Sequence, residues 1–222
     1  RITEGFHFNA FYDHSDNSVA LLAPVYLPII FEAASVTTLH GIAADLAHEV
    51  LHAFTESKLA YASGVFNQEY ECFMAHFNES CDVWAPGECS SGEQTFEEDA
   101  PDVEGLRVAF DLLKQIYSEE DLKEIEYDDL GITREQAFFY EFGMRLCSGE
   151  EADPDDEHSN EIVRVNAAVS MMPEFSAAFG CEEGDEEYAD EESTCYLFGP
   201  QSGRDRGEEE SEVVSEVGVV ND

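Results

Sequence analysis

Apolar residues recur at helical spacing in three parts of the chain. Leu39, Ile42, Leu46, Val50 and Phe54 follow one another at intervals of three or four residues, which predicts an amphipathic helix of about five turns. A second apolar stripe consists of Leu106, Phe110, Leu113 and Tyr117, and a third contains Phe138, Phe139 and Phe142. Because each stripe forms one face of a helix, these segments predict a core built mainly from packed helices.

Two helices carry signals at their ends. Thr133 is followed three residues later by Gln136, a capping-box pattern that predicts the start of the third helix. Residues 173–179 begin with proline and are followed by Gly180. Since proline favours the first helical position and glycine the position just past the end, this segment predicts a short helix.

The remaining segments have no helical period. Residues 8–33 contain alternating apolar positions and prolines, which predict extended structure and loops. Residues 65–95 hold three cysteines with proline and glycines, which predict an irregular disulfide-bearing segment, and residues 150–157 form an acidic loop. The Gly-, Ser- and Glu-rich sequence of residues 198–222 predicts a disordered acidic tail. We therefore expect one domain over residues 1–197, of the α+β class and predominantly helical.

The composition excludes several classes of partner. Of the 222 residues, 51 are Asp or Glu and 10 are Lys or Arg, which gives a formal net charge of −41, while 43% are hydrophobic and can form a sizeable core. Nucleic acids and anionic membranes bind basic surfaces, so this charge argues against both. The most apolar stretch, residues 18–36, is interrupted by Pro24, Pro28 and Glu32 and does not predict a membrane-spanning helix.

The cysteine content points to an oxidising compartment. There are six cysteines, an even number, and Asn78-Glu79-Ser80 is a glycosylation sequon. The chain opens at Arg1 with no initiator methionine and no apolar leader, so we expect a mature or truncated product. The expected location is extracellular, either secreted or as an ectodomain whose membrane anchor would lie in a missing N-terminal segment.

The residues with the clearest chemistry lie on the first predicted helix, in the sequence His48-Glu49-Val50-Leu51-His52. Two histidines at i and i+4 project from one helical face, so both rings can reach one metal ion. Glu49 can then take a proton from a metal-bound water. The alternative is two solvated histidines on a surface helix, but a strongly patterned helix is the setting that zinc chemistry requires.

A catalytic zinc site usually has three protein ligands and an open position. Glu98 and Asp102 form an i, i+4 pair at the start of the second helix, which would let Glu98 face the metal while Asp102 supports a ligand imidazole. Helix starts favour acidic residues in any case, so spacing alone does not select this pair.

Six segments in order resemble the C-terminal catalytic part of the neprilysin-like (M13) zinc metallopeptidases, over about residues 7–197. They are Asn9-Ala10-Phe11-Tyr12, His48 to Phe54, Gly92 to Asp102, Gln136 to Phe139, His158-Ser159 with Arg164-Val165-Asn166, and Pro173-Glu174-Phe175 through Cys181. The resemblance implies a thermolysin-like (gluzincin) zinc peptidase catalytic domain that is incomplete at its N-terminus. It also implies one Zn²⁺ per chain, held by His48, His52 and Glu98.

Further roles follow from the same resemblance. Asp102 would orient a zinc-binding histidine, His158 would donate to the oxyanion of the transition state, and Asp156 would orient His158. Arg164 would hold a substrate carbonyl, although a structural ion pair is a rival role in so acidic a chain. Asn9 and the backbone of Ala10 would pair with the main chain of a peptide substrate, although Asn9 could instead be a turn or strand-edge residue.

The cysteine partners are also implied by the resemblance. Cys72 and Cys195 match a disulfide of the family's catalytic part, whereas Cys147 and Cys181 match cysteines whose partners lie in the absent N-terminal region. Cys81 and Cys89 have no counterpart in the family, and their spacing of eight makes a local bridge plausible. Cys147 and Cys181 would then be left over or pair with each other.

The chain also departs from the family. It is far shorter than a full member, and the family's Gly, Asn and Ala around the zinc glutamate are Glu97, Asp99 and Pro101 here. Proline is tolerated in the first helical turn only, so Pro101 predicts a helix that starts close to it. Asp45 and Arg145 stand where the family has the apolar pocket for the side chain that follows the scissile bond, and we expect them to pair and weaken its apolar preference.

The predicted function is hydrolysis of internal bonds in extracellular peptides by a zinc-activated water, with Glu49 as general base. Activity should fall below about pH 6, because zinc binds neutral imidazoles. The alternative is a secreted, catalytically impaired relative that binds zinc or peptides without turnover, suggested by the altered residues around Glu98 and the missing lobe.

Overall fold

The structure is a computed structural model that describes residues 9–22, 25, 39–55, 67–147, 153 and 155–198. The acidic tail predicted for residues 198–222 lies outside this part except for Phe198, as does half of the predicted loop at residues 150–157.

Helices dominate the described residues. The α-helices are α1 Asp45–Thr55, α2 Asn67–Trp84, α3 Gly92–Ile116, α4 Glu119–Leu122, α5 Arg134–Arg145, α6 Glu161–Val169 and α7 Pro173–Phe179. A π-helical segment, Leu39–Ala44, leads directly into α1. The strands are β1 Ala10–Asp13, β2 Ser18–Leu21, β3 Ile125–Tyr127 and β4 Ile132–Thr133. This arrangement confirms the predicted α+β class with helices predominating.

The strands form two small antiparallel hairpins. In the first, β1 pairs with β2 so that Ala10 lies opposite Leu21 and Asp13 opposite Ser18. The second, made by β3 and β4, precedes α5. The hairpin of β1 and β2 packs against α1, which brings the N-terminal end of the described chain to the first predicted helix.

The longest helix, α3, lies at the centre of the fold. It packs against the π-helical segment, α1, α2 and α6. Its predicted apolar stripe is buried at Leu106, Phe110 and Leu113, and Phe138 and Phe139 of α5 pack on Phe110 with ring centroids 5.3 and 5.2 Å apart. These two apolar stripes therefore form the core, as predicted. The prediction is wrong for the first stripe, because Leu46, Val50 and Phe54 are exposed and α1 turns its histidine face toward α3 instead.

Predicted end signals coincide with observed helix ends. The Thr133 hydroxyl accepts the backbone N–H of Gln136, and the Gln136 side chain accepts the N–H of Thr133, which completes the capping box of α5. Gly180 ends α7 at φ +72°, in the left-handed region that glycine enters without a steric penalty.

The prediction of an irregular segment over residues 65–95 is wrong for most of its length. Helix α2 occupies Asn67–Trp84, and Tyr70, Phe73 and Phe77 face the core from it at helical spacing. The prediction of an irregular segment relied on the cysteines and on the proline and glycines that follow them, and it overlooked this apolar period. Cysteines are compatible with a helix when their partners lie beside it. Among the described residues of this segment, the irregular part lies between α2 and α3.

The second predicted helix also begins earlier than expected. Helix α3 starts at Gly92, capped by Ser91, so Pro101 is its tenth residue and lies inside the helix rather than in its first turn. Proline removes one backbone hydrogen-bond donor from the helix, and Pro101 is buried at this position. Glu98 and Asp102 therefore project from the helix interior, which places them more rigidly than a frayed end would.

Both predicted disulfides are present. Cys72 on α2 bonds to Cys195, 123 residues later, and Cys81 bonds to Cys89 across the turn after α2. Cys147 and Cys181 are free thiols, so they do not pair with each other. Within the described residues, no helix combines the length and apolar character that crossing a bilayer requires.

Candidate metal centre

Three predicted ligands meet at one point between α1 and α3. Nε2 of His48 lies 3.0 Å from Nε2 of His52 and 3.1 Å from Oε2 of Glu98, and the distance from His52 Nε2 to the same oxygen is 3.5 Å. Tetrahedral zinc with bonds of about 2.0–2.1 Å separates its ligand atoms by about 3.3 Å. The two nitrogens and one carboxylate oxygen therefore have the chemistry and spacing of a zinc site.

The helices bring these side chains together for simple geometric reasons. His48 and His52 are one turn apart on the face of α1 that packs against α3. Gly105 of α3 lies against this face, and a Cβ built on it would be 3.0 Å from the carbonyl oxygen of Ala44 and 3.1 Å from the backbone nitrogen of His48. Since any larger residue would push α1 away, Gly105 allows the approach that closes the site.

Asp102 fixes the orientation of His48. The Nδ1–H of His48 donates to Oδ1 of Asp102 at 2.9 Å, which leaves Nε2 to face the ligand cluster. Arg164 of α6 donates to both oxygens of Asp102, from Nε at 2.7 Å and from Nη2 at 2.9 Å. The ion pair considered as a rival role for Arg164 therefore exists, and the Asp102 carboxylate is held from both sides.

The two histidines have opposite proton affinities. Burial alone would lower the pKa of His48, but its hydrogen bonds to Asp102 and Glu98 raise that pKa to about 10. Burial lowers the pKa of His52 to about 4 despite the negative charge of Glu98. The His52 ring is therefore neutral at pH 7, whereas His48 must release a proton before its Nε2 can bind a metal.

Burial and neighbouring groups also shift the pKa values of the carboxyl groups in the site. Burial would raise the pKa of Glu98, but hydrogen bonds from His158 and His48 hold it well below the usual range. For Asp102, the cation of Arg164 and the hydrogen bond from His48 overcome burial and keep its pKa low. Burial raises the pKa of Glu49 to about 7, against the opposing charge of His48. Glu49 thus has the proton affinity of a general base at neutral pH.

His158 joins the cluster from the segment before α6. Its Nε2 lies 3.2 Å from Oε2 of Glu98, and its Nδ1 lies 3.0 Å from Oδ1 of Asp156. The hydrogen bond to Glu98 raises the pKa of His158 despite partial burial, which favours a ring that donates from both nitrogens. Asp156 also accepts the backbone N–H of His158 at 2.9 Å, so it contacts both the ring and the main chain of His158.

A buried polar network connects the His158 segment to α3. Oδ2 of Asp99 accepts hydrogen bonds from Thr95 at 2.6 Å and from Ser159 at 2.9 Å. Burial raises the pKa of Asp99 to about 7. Because Asp99 follows Glu98 and Ser159 follows His158, this network ties together the two segments that carry those side chains.

The metal centre opens into a cleft of about 310 Å³. Asn9 and Ala10 lie at its edge, and Arg164 also lines it. The Asn9 side chain accepts the backbone N–H of Ala10 at 3.0 Å. The predicted substrate-binding residues thus border the same space as His48, although Asn9 is already engaged in a local hydrogen bond.

Asp45 and Arg145 form the ion pair expected from the sequence. Nη2 of Arg145 contacts Oδ1 of Asp45, with side-chain exposures of 28% and 14%, and both residues line the cleft. Burial raises the pKa of Asp45, while the adjacent guanidinium opposes that change.

Sequence reasoning did not identify Gly105 or the network of Thr95, Asp99 and Ser159. A glycine inside the apolar period of α3 was an available signal, because glycine weakens a helix interior and is kept there where backbones approach. No comparable local signal marks the network, since Ser159 lies 60 residues from Asp99.

Fold and site together define a zinc-peptidase type of protein, in which a His-Glu-x-x-His helix packs against a helix that carries a third, carboxylate ligand. The sequence profile of peptidase family M13 matches residues 9–195. The chain belongs to peptidase family M13, which confirms the resemblance drawn from its motifs.

Individual relatives are similar at low identity. The chain is 26% identical over 202 residues to Neprilysin-1 of Caenorhabditis elegans and 26% identical over 197 residues to Endothelin-converting enzyme 1 of Rattus norvegicus. Each alignment covers 79% of this chain but only 26% and 25% of those relatives, so the chain spans about a quarter of their length.

Solved structures share the fold. The Haemonchus galactose-containing glycoprotein complex superposes with a TM-score of 0.72 at 20% identity, over 89% of this chain and 36% of that one. The Mycobacterium tuberculosis zinc metalloprotease Zmp1, solved with an inhibitor, superposes with a TM-score of 0.70 at 18% identity, over 88% and 33% of the two chains.

Proposed function

We propose that the chain is a zinc-dependent metalloendopeptidase that hydrolyses internal bonds of extracellular peptides. The observation that carries this proposal is the triangle of His48 Nε2, His52 Nε2 and Glu98 Oε2, with sides of 3.0 to 3.5 Å, beside the Glu49 carboxylate on the same helix. These three side chains would hold one Zn²⁺, which when bound supplies a Lewis acid for polarising a carbonyl and activating a water.

The chain's own residues would move the protons. Glu49 would accept a proton from the attacking water and return it to the leaving nitrogen, a role that suits a carboxyl with a pKa of about 7. His158 would donate to the oxygen that becomes negative, held in place by Asp156. Losing such a donor costs about 3–4 kcal/mol of transition-state stabilisation.

Other residues would position the substrate and the ligands. Asp102 and Arg164 would hold His48 in the tautomer that directs Nε2 to the metal. The edge formed by Asn9 and Ala10 would pair with an extended peptide backbone, and Arg164, which also lines the cleft, would contact a substrate carbonyl.

The test is cleavage of a fluorogenic peptide by the zinc-loaded chain and its Glu49→Gln variant. We expect the variant to bind zinc with unchanged stoichiometry but to lose turnover by at least about 100-fold, the size of a general-base contribution. A suitable control is Glu104→Gln, because Glu104 is buried to 7% exposure against 8% for Glu49 and lies outside the cleft. Equal turnover in wild type and Glu49→Gln would refute the proposal.

A further inference from the structure

One wall of the cleft beside the candidate metal centre combines apolar side chains with an ion pair. Ala44, Phe142 and Leu146 supply apolar surface, and the ion pair of Asp45 and Arg145 lies among them. Since His48 and Glu49 line the same cleft, a peptide bond placed at the metal would direct a neighbouring side chain toward this wall. The wall would therefore contact that side chain.

The ion pair offers both hydrogen-bond donors and acceptors at zero net charge. A guanidinium carries five N–H donors and a carboxylate about four lone-pair sites, so each group can make bonds beyond the one between them. Both side chains are largely buried, and an apolar side chain placed against them would remove their remaining contact with water without replacing it.

Charged substrate side chains match the pair poorly. A carboxylate can bond to Arg145 only while facing the like charge of Asp45, and an ammonium group can bond to Asp45 only while facing the like charge of Arg145. An uncharged amide has the complementary groups, because its carbonyl oxygen accepts from Arg145 while its NH₂ donates to Asp45. The two methylene groups of glutamine would pack on Phe142 and Leu146.

We propose that the Asp45–Arg145 pair makes this cleft selective for a glutamine side chain next to the scissile bond. The inference rests on the proposed function for taking the cleft as the peptide site, and it adds the side-chain class that the site accepts. Leucine or phenylalanine would leave polar atoms of Asp45 and Arg145 buried without a hydrogen-bond partner, whereas glutamine would bond to them. We therefore expect about a tenfold preference for glutamine over leucine or phenylalanine.

The first experiment uses the 222-residue chain without substitution. A peptide library randomised on both sides of one bond is digested by the zinc-loaded protein, and the cut sites are read by mass spectrometry. We expect glutamine to be enriched about tenfold over leucine, phenylalanine, glutamate and lysine at one flanking position. Cleavage with leucine or phenylalanine equally or more enriched at both positions would overturn the inference while leaving the proposed function intact.

The second experiment measures binding instead of turnover. Fluorescence anisotropy of labelled peptides on the Glu49→Gln variant should show the glutamine peptide binding about tenfold more tightly than its leucine counterpart. If no peptide is cleaved but this binding preference is found, the proposed function fails, whereas the selectivity of the cleft for a glutamine side chain holds. Equal binding of the two peptides would overturn it.

Variants then assign the preference to the pair. Asp45→Leu with Arg145→Leu should reverse the order, so that the leucine peptide binds more tightly than the glutamine peptide. The matched control is Glu126→Leu with Arg134→Leu, which removes an ion pair of similar exposure (27% and 17%) outside the cleft and should leave the glutamine preference unchanged. An unchanged preference in the folded Asp45/Arg145 variant would contradict the assignment.

Discussion

His48 uses its two ring nitrogens for two different contacts. Nδ1 donates to Asp102 at 2.9 Å, and Nε2 faces His52 and Glu98. The first contact determines the second, because an imidazole with its proton fixed on Nδ1 presents a lone pair at Nε2. We therefore expect Asp102 to contribute to metal binding without touching the metal.

The same arrangement predicts how zinc affinity depends on pH. His48 has a pKa of about 10 before metal binds, so zinc must displace one proton, while His52, with a pKa of about 4, is already neutral. Between pH 7 and 9 the apparent affinity should rise by about tenfold per pH unit, with about one proton released at pH 7.5. Calorimetry in buffers of different ionisation enthalpy measures that release.

Two variants separate the effect of the Asp102 carboxylate on His48 from the effect of removing any negative charge from the same helix. Asp102→Asn should bind zinc about 10- to 100-fold more weakly and release fewer protons, because His48 then loses the carboxylate that raises its pKa. Asp111→Asn alters a carboxylate on the exposed side of the same helix and should change neither quantity. Zinc affinity independent of pH in wild type would contradict the account.

At the scale of elements, the metal centre depends on how closely α1 approaches α3. Gly105→Ala would place a Cβ about 3.0 Å from the backbone of the π-helical segment and α1, a contact that only helix displacement relieves. We expect a loss of about 1–3 kcal/mol in unfolding free energy, the usual cost of overpacking. A zinc affinity lower by about tenfold should accompany it, since His48 would move relative to Glu98 and Asp102.

Thermal unfolding and zinc titration test this prediction against Gly143→Ala. At Gly143 of α5, a Cβ would meet only a methyl group of Val165 at 3.6 Å, an ordinary contact. That control should gain about 0.5–1 kcal/mol from helix propensity and keep its zinc affinity. If the two variants behave alike, close backbone approach at Gly105 is not what positions the ligands.

Local sequence patterns predicted the elements best where one signal dominated. The capping box at Thr133 and the proline and glycine around α7 marked helix ends that the structure confirms. Helix α2 was missed because cysteines and the adjacent turn residues outweighed its apolar period. The start of α3 was misjudged because proline is ordinarily tolerated only in the first helical turn, whereas Pro101 lies buried inside the helix.

The candidate metal ligands could be predicted partly from local geometry. The i, i+4 spacing of His48 and His52 identifies a shared face without any knowledge of the fold. The choice of Glu98 needed the resemblance to a family, because it is one of 51 acidic residues and its approach to His48 is created by helix packing across 50 residues of chain. The tie between Asp99 and Ser159 is equally non-local and was not predicted.

At the scale of the whole molecule, the Cys72–Cys195 disulfide connects α2 to the last described segment. It spans 123 residues, whereas Cys81–Cys89 spans eight. Because loop closure restricts the unfolded chain more as the loop grows, the long bridge should contribute about 5 kcal/mol and the short one about 2.5 kcal/mol.

Chemical denaturation of serine variants compares the two bridges. Cys72→Ser with Cys195→Ser should lower unfolding free energy more than Cys81→Ser with Cys89→Ser. Each double variant replaces two cysteines and removes one disulfide, so the two variants differ only in which bridge is lost. A larger loss from the short bridge would show that local geometry, and not loop closure, determines how these disulfides stabilise the chain.

One measurement tests the metal centre most directly: a crystal structure of the zinc-loaded protein with diffraction data collected on both sides of the zinc absorption edge. The account predicts one anomalous peak per chain, about 2.0–2.1 Å from Nε2 of His48 and His52 and from a carboxylate oxygen of Glu98. A peak at another set of residues, or a zinc ion that leaves the Glu98 carboxylate beyond bonding distance, would contradict it.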